Sequence, residues 1–271
     1  MLGGTGKTGR RVAELLRRRG IGARAASRSG PVRFDWTDEG SWDPALAGVR
    51  AVYVVDSQTA EAPGQVTAFA KAARERGVER LVLLSARTLA ELDDGSGELL
   101  ATERAVRESG LAWTILRPAW FSQNFTEEPW FSVPLAEGEL RVPTGGGHEP
   151  FIDLDDLAEV AVAALTEDGH ASETYSLSGP RALTFREAVA GISAATGRPI
   201  TYTPVDHDTY VAEQTARGYS RDFAELMARF LAHIAADGSA VPGDGVRRAL
   251  GREAKGFGEW VEGADFSGLG G

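Results

Sequence analysis

The sequence predicts an α/β fold: a doubly wound parallel sheet followed by a smaller C-terminal α/β lobe. Two observations carry that reading. Short aliphatic runs alternate with helix-period segments through the first half, and a glycine-rich loop opens the first helix. Alternation of strand and helix means βαβ units, which build parallel sheets with helices on the faces. A length of 271 residues suits one large domain or a domain with a lobe, because single cores beyond ~250 residues tend to split.

Helix periodicity falls at residues 8–19 (Val12, Leu15, Leu16), at 63–76 (Val66, Phe69, Ala70, Ala73) and at roughly 98–109. Between them, residues 24–27, 50–56, 80–86 and 112–117 are brief, aliphatic on both faces and bounded by Gly, Asp or Pro, as strands buried under helices are. A short further strand precedes Asp35. In the second half a polar stretch runs through Thr144-Gly145-Gly146-Gly147. Phe151-Ile152-Asp153 then leads into an amphipathic helix, with Leu157, Val160, Ala161, Ala164 and Leu165 on one face and Asp155 or Asp156 capping its first turn. A strand at 174–178, a helix at 184–196 stopped by Gly197, a strand at 199–205 and helices near 208–218 and 221–236 follow. The last of these has Phe223, Leu226, Met227, Phe230, Leu231 and Ile234 on one side, and the Gly-rich tail, 263–271, is expected to fray.

Composition narrows the function. Lys and Arg number 29 against 39 Asp and Glu, a net charge of −10, and no basic cluster offsets the repulsion such a chain has for nucleic acids and anionic membranes. The absence of cysteine removes disulfides, thiolate metal sites and Cys nucleophiles. His170, His207 and His233 are scattered without metal-ligand spacing, so no metal is expected. Apolar runs fall far short of the ~18 residues of a membrane span, and Met1-Leu2-Gly3-Gly4 carries no signal-peptide pattern. A cytoplasmic protein is the expectation.

Gly3, Gly6 and Gly9 in Gly3-Gly4-Thr5-Gly6-Lys7-Thr8-Gly9 are three apart, a GxxGxxG variant of the dinucleotide fingerprint. Such glycines give a tight turn, a bare backbone facing pyrophosphate and a close helix–strand contact. The fold is therefore Rossmann-like. Gly6-Lys7-Thr8 also copies the end of a phosphate-binding P-loop, but the glycine that loop needs five residues earlier is Met1. Only Met1-Leu2 precede the loop, so the first strand is expected to be truncated.

An acidic residue ends the second strand where NAD is bound. Here Ser27 and Arg28 stand instead, and a hydroxyl and a guanidinium suit the 2′-phosphate of NADP(H). Asp35 and Trp36 are placed near the adenine, although Trp36 serves equally well as packing.

With these residues in hand, the chain resembles the NmrA-like family of atypical short-chain dehydrogenases/reductases. The likeness runs through the glycine loop, Leu83-Leu84-Ser85-Ala86, Thr114-Ile115-Leu116-Arg117-Pro118, Trp120 to Phe125, Phe151-Ile152-Asp153, and Tyr175 to Pro180 with Leu183-Thr184-Phe185. It is most similar to bacterial NAD(P)H-binding proteins related to ergot-alkaloid-type and quinone reductases. The resemblance implies a Rossmann domain over residues 1–122, completed by about 151–178, and a smaller substrate-binding lobe over 123–271, with a cleft between them. It implies that Thr5, Lys7 and Thr8 line the pyrophosphate, Val55 and Asp56 the adenosine side, and Ser85, Ala86, Pro118, Ala119, Trp120 and Phe121 the nicotinamide. Trp120, Phe121, Asn124, Trp130 and Phe131 would face the substrate.

One departure bears on chemistry. Short-chain dehydrogenases that interconvert alcohols and carbonyls use Tyr-x-x-x-Lys, the Lys lowering the Tyr pKa for proton transfer. Aligning Glu103 with the acidic residue that usually follows puts Gly95 and Leu99 at those positions. A reductase without the dyad suits acceptors that stabilise negative charge themselves, such as a quinone, or that need no proton, such as an iminium. Remaining catalytic candidates are Asn124, Ser85 as an orienting hydroxyl, and His148 as a substrate-side acid or an exposed loop residue. Arg117 either places a cation near the nicotinamide or anchors the sheet edge. Two functions follow: an NAD(P)H-dependent reductase of a polycyclic aromatic small molecule, in natural-product biosynthesis, whose reduced product reacts with oxygen; or a non-catalytic NAD(P)-sensing regulator.

Overall fold

The computed structural model describes residues 1–269. In chain order the elements are α1 (Lys7–Arg18), β1 (Ala26–Ser27), β2 (Val32–Arg33), α2 (Trp42–Leu46), β3 (Ala51–Val54), α3 (Ala62–Glu75), β4 (Arg80–Leu84), α4 (Arg87–Leu92), α5 (Ala101–Arg107) and β5 (Ala112–Pro118). There follow α6 (Asn124–Glu127), α7 (Pro129–Glu137), β6 (Glu139–Val142), β7 (His148–Glu149), α8 (Leu154–Thr166), β8 (Glu173–Leu177), β9 (Leu183–Thr184), α9 (Phe185–Thr196), β10 (Thr201–Pro204), α10 (His207–Ala216), α11 (Arg221–Ala235), α12 (Gly245–Leu250) and α13 (Phe257–Gly263).

These elements form two compact units, each assembled from three stretches of chain. The first comprises Met1–Pro118, Leu154–Leu177 and Asp244–Glu253, and the second Ala119–Asp153, Ser178–Gly243 and Ala254–Gly271. In the first, β3, β4, β5 and β8 pair side by side, all parallel, and β1 pairs parallel with β2. Leu2 joins the two pieces. It bridges Ala26 in parallel and donates its amide to the Tyr53 carbonyl at 3.0 Å, while the Met1 carbonyl accepts from Ala26 N. The position of the predicted first strand is thus held by a single bridging residue at the point where strand order reverses. Helices cover both faces as the periodicity requires: α1 packs on α8, and α3 on α5. Val12, Ala13 and Leu16 of α1 and Val66, Phe69, Ala70 and Ala73 of α3 are buried.

α8 departs from its amphipathic reading. Val162 and Ala163 are buried along with Leu157, Val160, Ala161, Ala164 and Leu165, because α12 covers the helix beside α1. A helix covered on most of its surface keeps only a narrow polar edge, here Asp155 and Glu159.

The second unit surrounds an aromatic core of Phe125, Phe131, Phe151, Phe185 and Phe257 with Trp130 and Trp260. β6 pairs parallel with β10, and β7 antiparallel with β9. α9 starts on a capping box between Thr184 and Glu187 and stops at Gly197 with φ +66, as Thr184 and Gly197 lead one to expect. α11 buries Ala224, Ala228, Leu231 and Ile234, whereas Leu226 is exposed. Leu231 and Ile234 are buried as expected and Phe223 and Met227 pack against the core, while the small residues at 224 and 228 widen the buried face and allow close packing on α10. The tail does not fray over its described part: Leu269 is buried in the core, and Gly270 and Gly271 lie outside the described residues. No helix among the described residues is long and apolar enough to cross a membrane.

Candidate functional site

The chain leaves the sheet at Leu2 and turns into α1 within four residues. Gly3 takes φ +63, and Gly6 N donates back to the Gly3 carbonyl at 2.9 Å. A Cβ on Gly9 would stand 2.3 Å from the Gly3 oxygen, and one on Gly4 2.8 Å from the Ala25 Cα, so both positions admit hydrogen alone. The first-turn N–H groups of a helix have no intrahelical partner. The N-cap of α1, Gly6, brings no side chain to them, and the first turn contains no acid. That arrangement takes an anion, and it fits the pyrophosphate of a dinucleotide. Thr5 and Gly6 are exposed on the loop, Lys7 half-buried. Thr8 is buried beside the Tyr53 hydroxyl, so its side chain does not reach the exposed face of the loop.

At the end of β1, Thr5 Oγ1 donates to Ser27 Oγ at 3.1 Å, joining the glycine loop to the second strand. Arg28 is exposed, without a hydrogen bond or ion pair among the described residues. Asp35 is held below the usual carboxylate range by the Thr37 amide and hydroxyl, with the charges of Arg33 and Arg28 adding. Trp36 takes the packing role. Its ring lies edge-on to Phe34, Trp42 and Phe69 at centroid distances of 5.0, 6.3 and 5.4 Å, and its Nε1 donates to the Val55 carbonyl at 3.1 Å. Val55 packs over Gly3. Asp56 accepts from Gln58 N at 3.1 Å, Gln58 standing at φ +55. Burial pushes the Asp56 carboxyl up, against the Gln58 amide and the Thr102 hydroxyl that stabilise its charge.

The ends of β4 and β5 meet around one carboxylate. Glu103, 1% exposed, accepts from Arg117 Nε at 2.8 Å and Nη2 at 2.6 Å, from Arg107 Nη2 at 3.0 Å and from Ser85 Oγ at 2.7 Å. Burial pushes its carboxyl up, but the hydrogen bonds from Arg117 and Ser85 and the charges of Arg117 and Arg107 outweigh that, so it titrates below the usual range. Arg117 therefore anchors the end of β5, an interior strand between β4 and β8. Ala86 and Pro118 continue these strand ends. Residues 93–98 carry turns in which Asp93 Oδ2 accepts from Gly95 N and Asp94 Oδ1 from Ser96 N, so Gly95 and Leu99 hold no proton donor in place of the dyad.

The second unit sorts the substrate-side candidates. Phe131 is wholly buried, stacked on Phe125 at 5.4 Å and edge-on to Phe185 at 5.7 Å; it is core rather than substrate-facing. Trp130 is buried against Phe131, its Nε1 on Glu128 Oε2 at 3.1 Å. Ala119 is buried, Trp120 and Phe121 are half-buried, and Asn124 is buried at the start of α6. The Trp120 amide donates to the buried Glu149 at 3.0 Å, and Ser122 N and Ile152 N pair with the Ile152 and Trp120 carbonyls. His148 sits on β7 rather than in a loop, with its amide and Nδ1 both 2.9 Å from Asp237 Oδ1. Gly147 lies where a Cβ would be 1.9 Å from the Ile234 carbonyl, so this last glycine of the run serves packing against α11. Among the described residues no three His, Asp or Glu side chains are grouped to hold a metal ion.

In the sequence Glu103 stands only as the acidic residue that follows the missing dyad. The signal was present: a Glu three residues before Val106, on the apolar face of its helix, needs buried partners.

A Rossmann-like sheet whose glycine loop feeds phosphate-ready amides into α1 defines the class: a dinucleotide-binding α/β protein. Residues 3–168 match the NAD(P)H-binding family. The chain is 30% identical over 280 residues to the NAD(P)H azoreductase of Xenophilus azovorans, covering 97% of this chain and 96% of that one. It is 32% identical over 245 residues to festuclavine dehydrogenase of Aspergillus fumigatus, covering 84% of each. The NADPH complex of an Escherichia coli quinone oxidoreductase superposes with a TM-score of 0.82 at 23% identity, over 97% of this chain and 98% of that one. The chain belongs to the NAD(P)H-binding family, and the two curated relatives above are named as a reductase and a dehydrogenase.

Proposed function

We propose that this reductase passes hydride from NADPH to a flat, quinone-like or imine-like aromatic acceptor without a protein-borne acid. The observation that carries the reading is the state of the hydroxyl beside the vacant dyad: Ser85 donates its one proton to Glu103, and Gly95 and Leu99 replace Tyr and Lys. An acceptor whose product is a phenolate, with a conjugate acid near pKa ~10, or a neutral amine needs nothing more. Bound cofactor supplies the hydride. The first-turn amides of α1 hold its pyrophosphate, Ser27 and the uncommitted Arg28 favour the 2′-phosphate form, and Trp120, Phe121 and Asn124 face the acceptor. The names of the relatives support the acceptor class: an azoreductase, a clavine dehydrogenase and a quinone oxidoreductase.

NADPH and NADH consumption with a panel of quinones and cyclic imines, with dissolved oxygen followed in parallel, tests this. Turnover with a panel member is expected, and oxygen uptake identifies a quinol that reoxidises. Tight cofactor binding with no turnover across the panel overturns the reading in favour of the NAD(P)-sensing regulator.

A further inference from the structure

The buried carboxylate of Glu103 does more than pair two arginines. It is ionised across the neutral range, because Arg117, Ser85 and Arg107 together outweigh its burial, and an ionised carboxylate only accepts. The 2.7 Å contact from Ser85 Oγ to Glu103 Oε1 therefore fixes which way the hydroxyl points. A serine hydroxyl has one proton and two lone pairs. With the proton turned inward, the half-buried end of β4 presents acceptor capacity alone.

We infer that Glu103 is a positioning residue that sets the polarity of Ser85, making Ser85 a fixed hydrogen-bond acceptor that selects ligand groups carrying an N–H or O–H donor. The inference rests on the reductase reading. Two ligands supply such a donor: the carboxamide amine of the nicotinamide, or a protonated nitrogen on the acceptor.

The first arm of the test is binding, by calorimetry on the full chain, of the oxidised dinucleotide and of its 3-acetylpyridine analogue, whose methyl ketone lacks the N–H. The second is KM for a protonated cyclic imine against its N-methyl iminium counterpart. The donor-bearing member of one pair is expected to be favoured by about fivefold to tenfold, the worth of one hydrogen bond. Ser85→Ala should erase that preference while leaving Glu103 its two arginines. Glu103→Gln, whose amide can donate to Ser85 and free its proton, should erase or invert it. Absence of a preference in both arms overturns the inference. So does a Glu103→Gln variant that weakens both members of each pair equally, the mark of a merely structural role. If Glu103→Gln does not fold, Ser85→Ala alone decides: retention of the preference overturns the inference. Failure of the natural chain to bind any dinucleotide overturns the reductase reading instead.

Discussion

Arg117 grips Glu103 with two nitrogens, Nε and Nη2, on two different oxygens at 2.8 and 2.6 Å, and so locks the end of β5 to α5. Planar, two-point pairing is what guanidinium offers and ammonium does not. Arg117→Lys is expected to cost about 1–2 kcal/mol in urea unfolding, and Glu103→Ala about 1–3 kcal/mol, because it takes the charged hydrogen-bond partner from the half-buried Arg117 and from Ser85. A loss below about 0.5 kcal/mol in Glu103→Ala would show that the network carries no stability.

The same carboxylate gives a pH signature. Its folded pKa lies below the usual 4.5, so the folded state binds that proton less tightly than the unfolded chain does. The stabilisation is fully present above the unfolded value and is lost as pH falls through the depressed folded one. Urea midpoints should therefore fall more steeply below about pH 4.5 in the natural chain than in Glu103→Gln; parallel curves would refute the assignment.

Asp56 should behave with the opposite sign. Burial raises its folded pKa above the usual 3.8, so its carboxylate costs stability at neutral pH and the cost vanishes below pH 3.8. Asp56→Asn, which keeps an oxygen for Gln58 N, is expected to raise Tm at pH 7 and to leave it unchanged near pH 3. A lower Tm at pH 7 would mean that the ionised form is needed.

Arg28→Glu should weaken NADPH by at least about tenfold more than NADH, the difference between pairing and repelling a phosphate. Equal losses, measured by cofactor fluorescence, would remove Arg28 from the 2′-phosphate site.

Two glycines make a contrasting pair. Gly9→Ala drives a Cβ into the Gly3 oxygen and should destabilise the chain by about 1–3 kcal/mol while abolishing dinucleotide binding. Gly191→Ala, inside α9 with nothing within 4 Å, should stabilise it by about 0.5–1 kcal/mol. A Gly9→Ala variant that binds dinucleotide normally would show that the tight turn is not required.

What could be read in advance followed period and punctuation. Val66, Phe69, Ala70 and Ala73 gave α3, Thr184 and Gly197 bounded α9, and Gly3, Gly6 and Gly9 marked the phosphate loop, because each signal is local. α7 escaped notice, since Pro134 stands inside its nine residues and disguises the helix. The direction of Phe131 was not legible either. Whether an aromatic faces core or ligand is decided by partners such as Phe185, more than fifty residues away, and no local pattern encodes that. The sequence marks Ser85 as an orienting hydroxyl, but its orientation depends on a carboxylate reached only through the fold.

The interleaving of the two units has a consequence for how the chain is made. The sheet of the first unit gains β8 only when residues 173–177 arrive, and α12 joins that unit from residues 245–250. A ribosome delivering this chain N-terminus first must release nearly all of it before that unit closes, so its parallel strands wait with open edges. Such edges recruit chaperones or other nascent chains. Slow, chaperone-sensitive production is the expected biogenesis, and no single cut divides the chain into one fragment per unit.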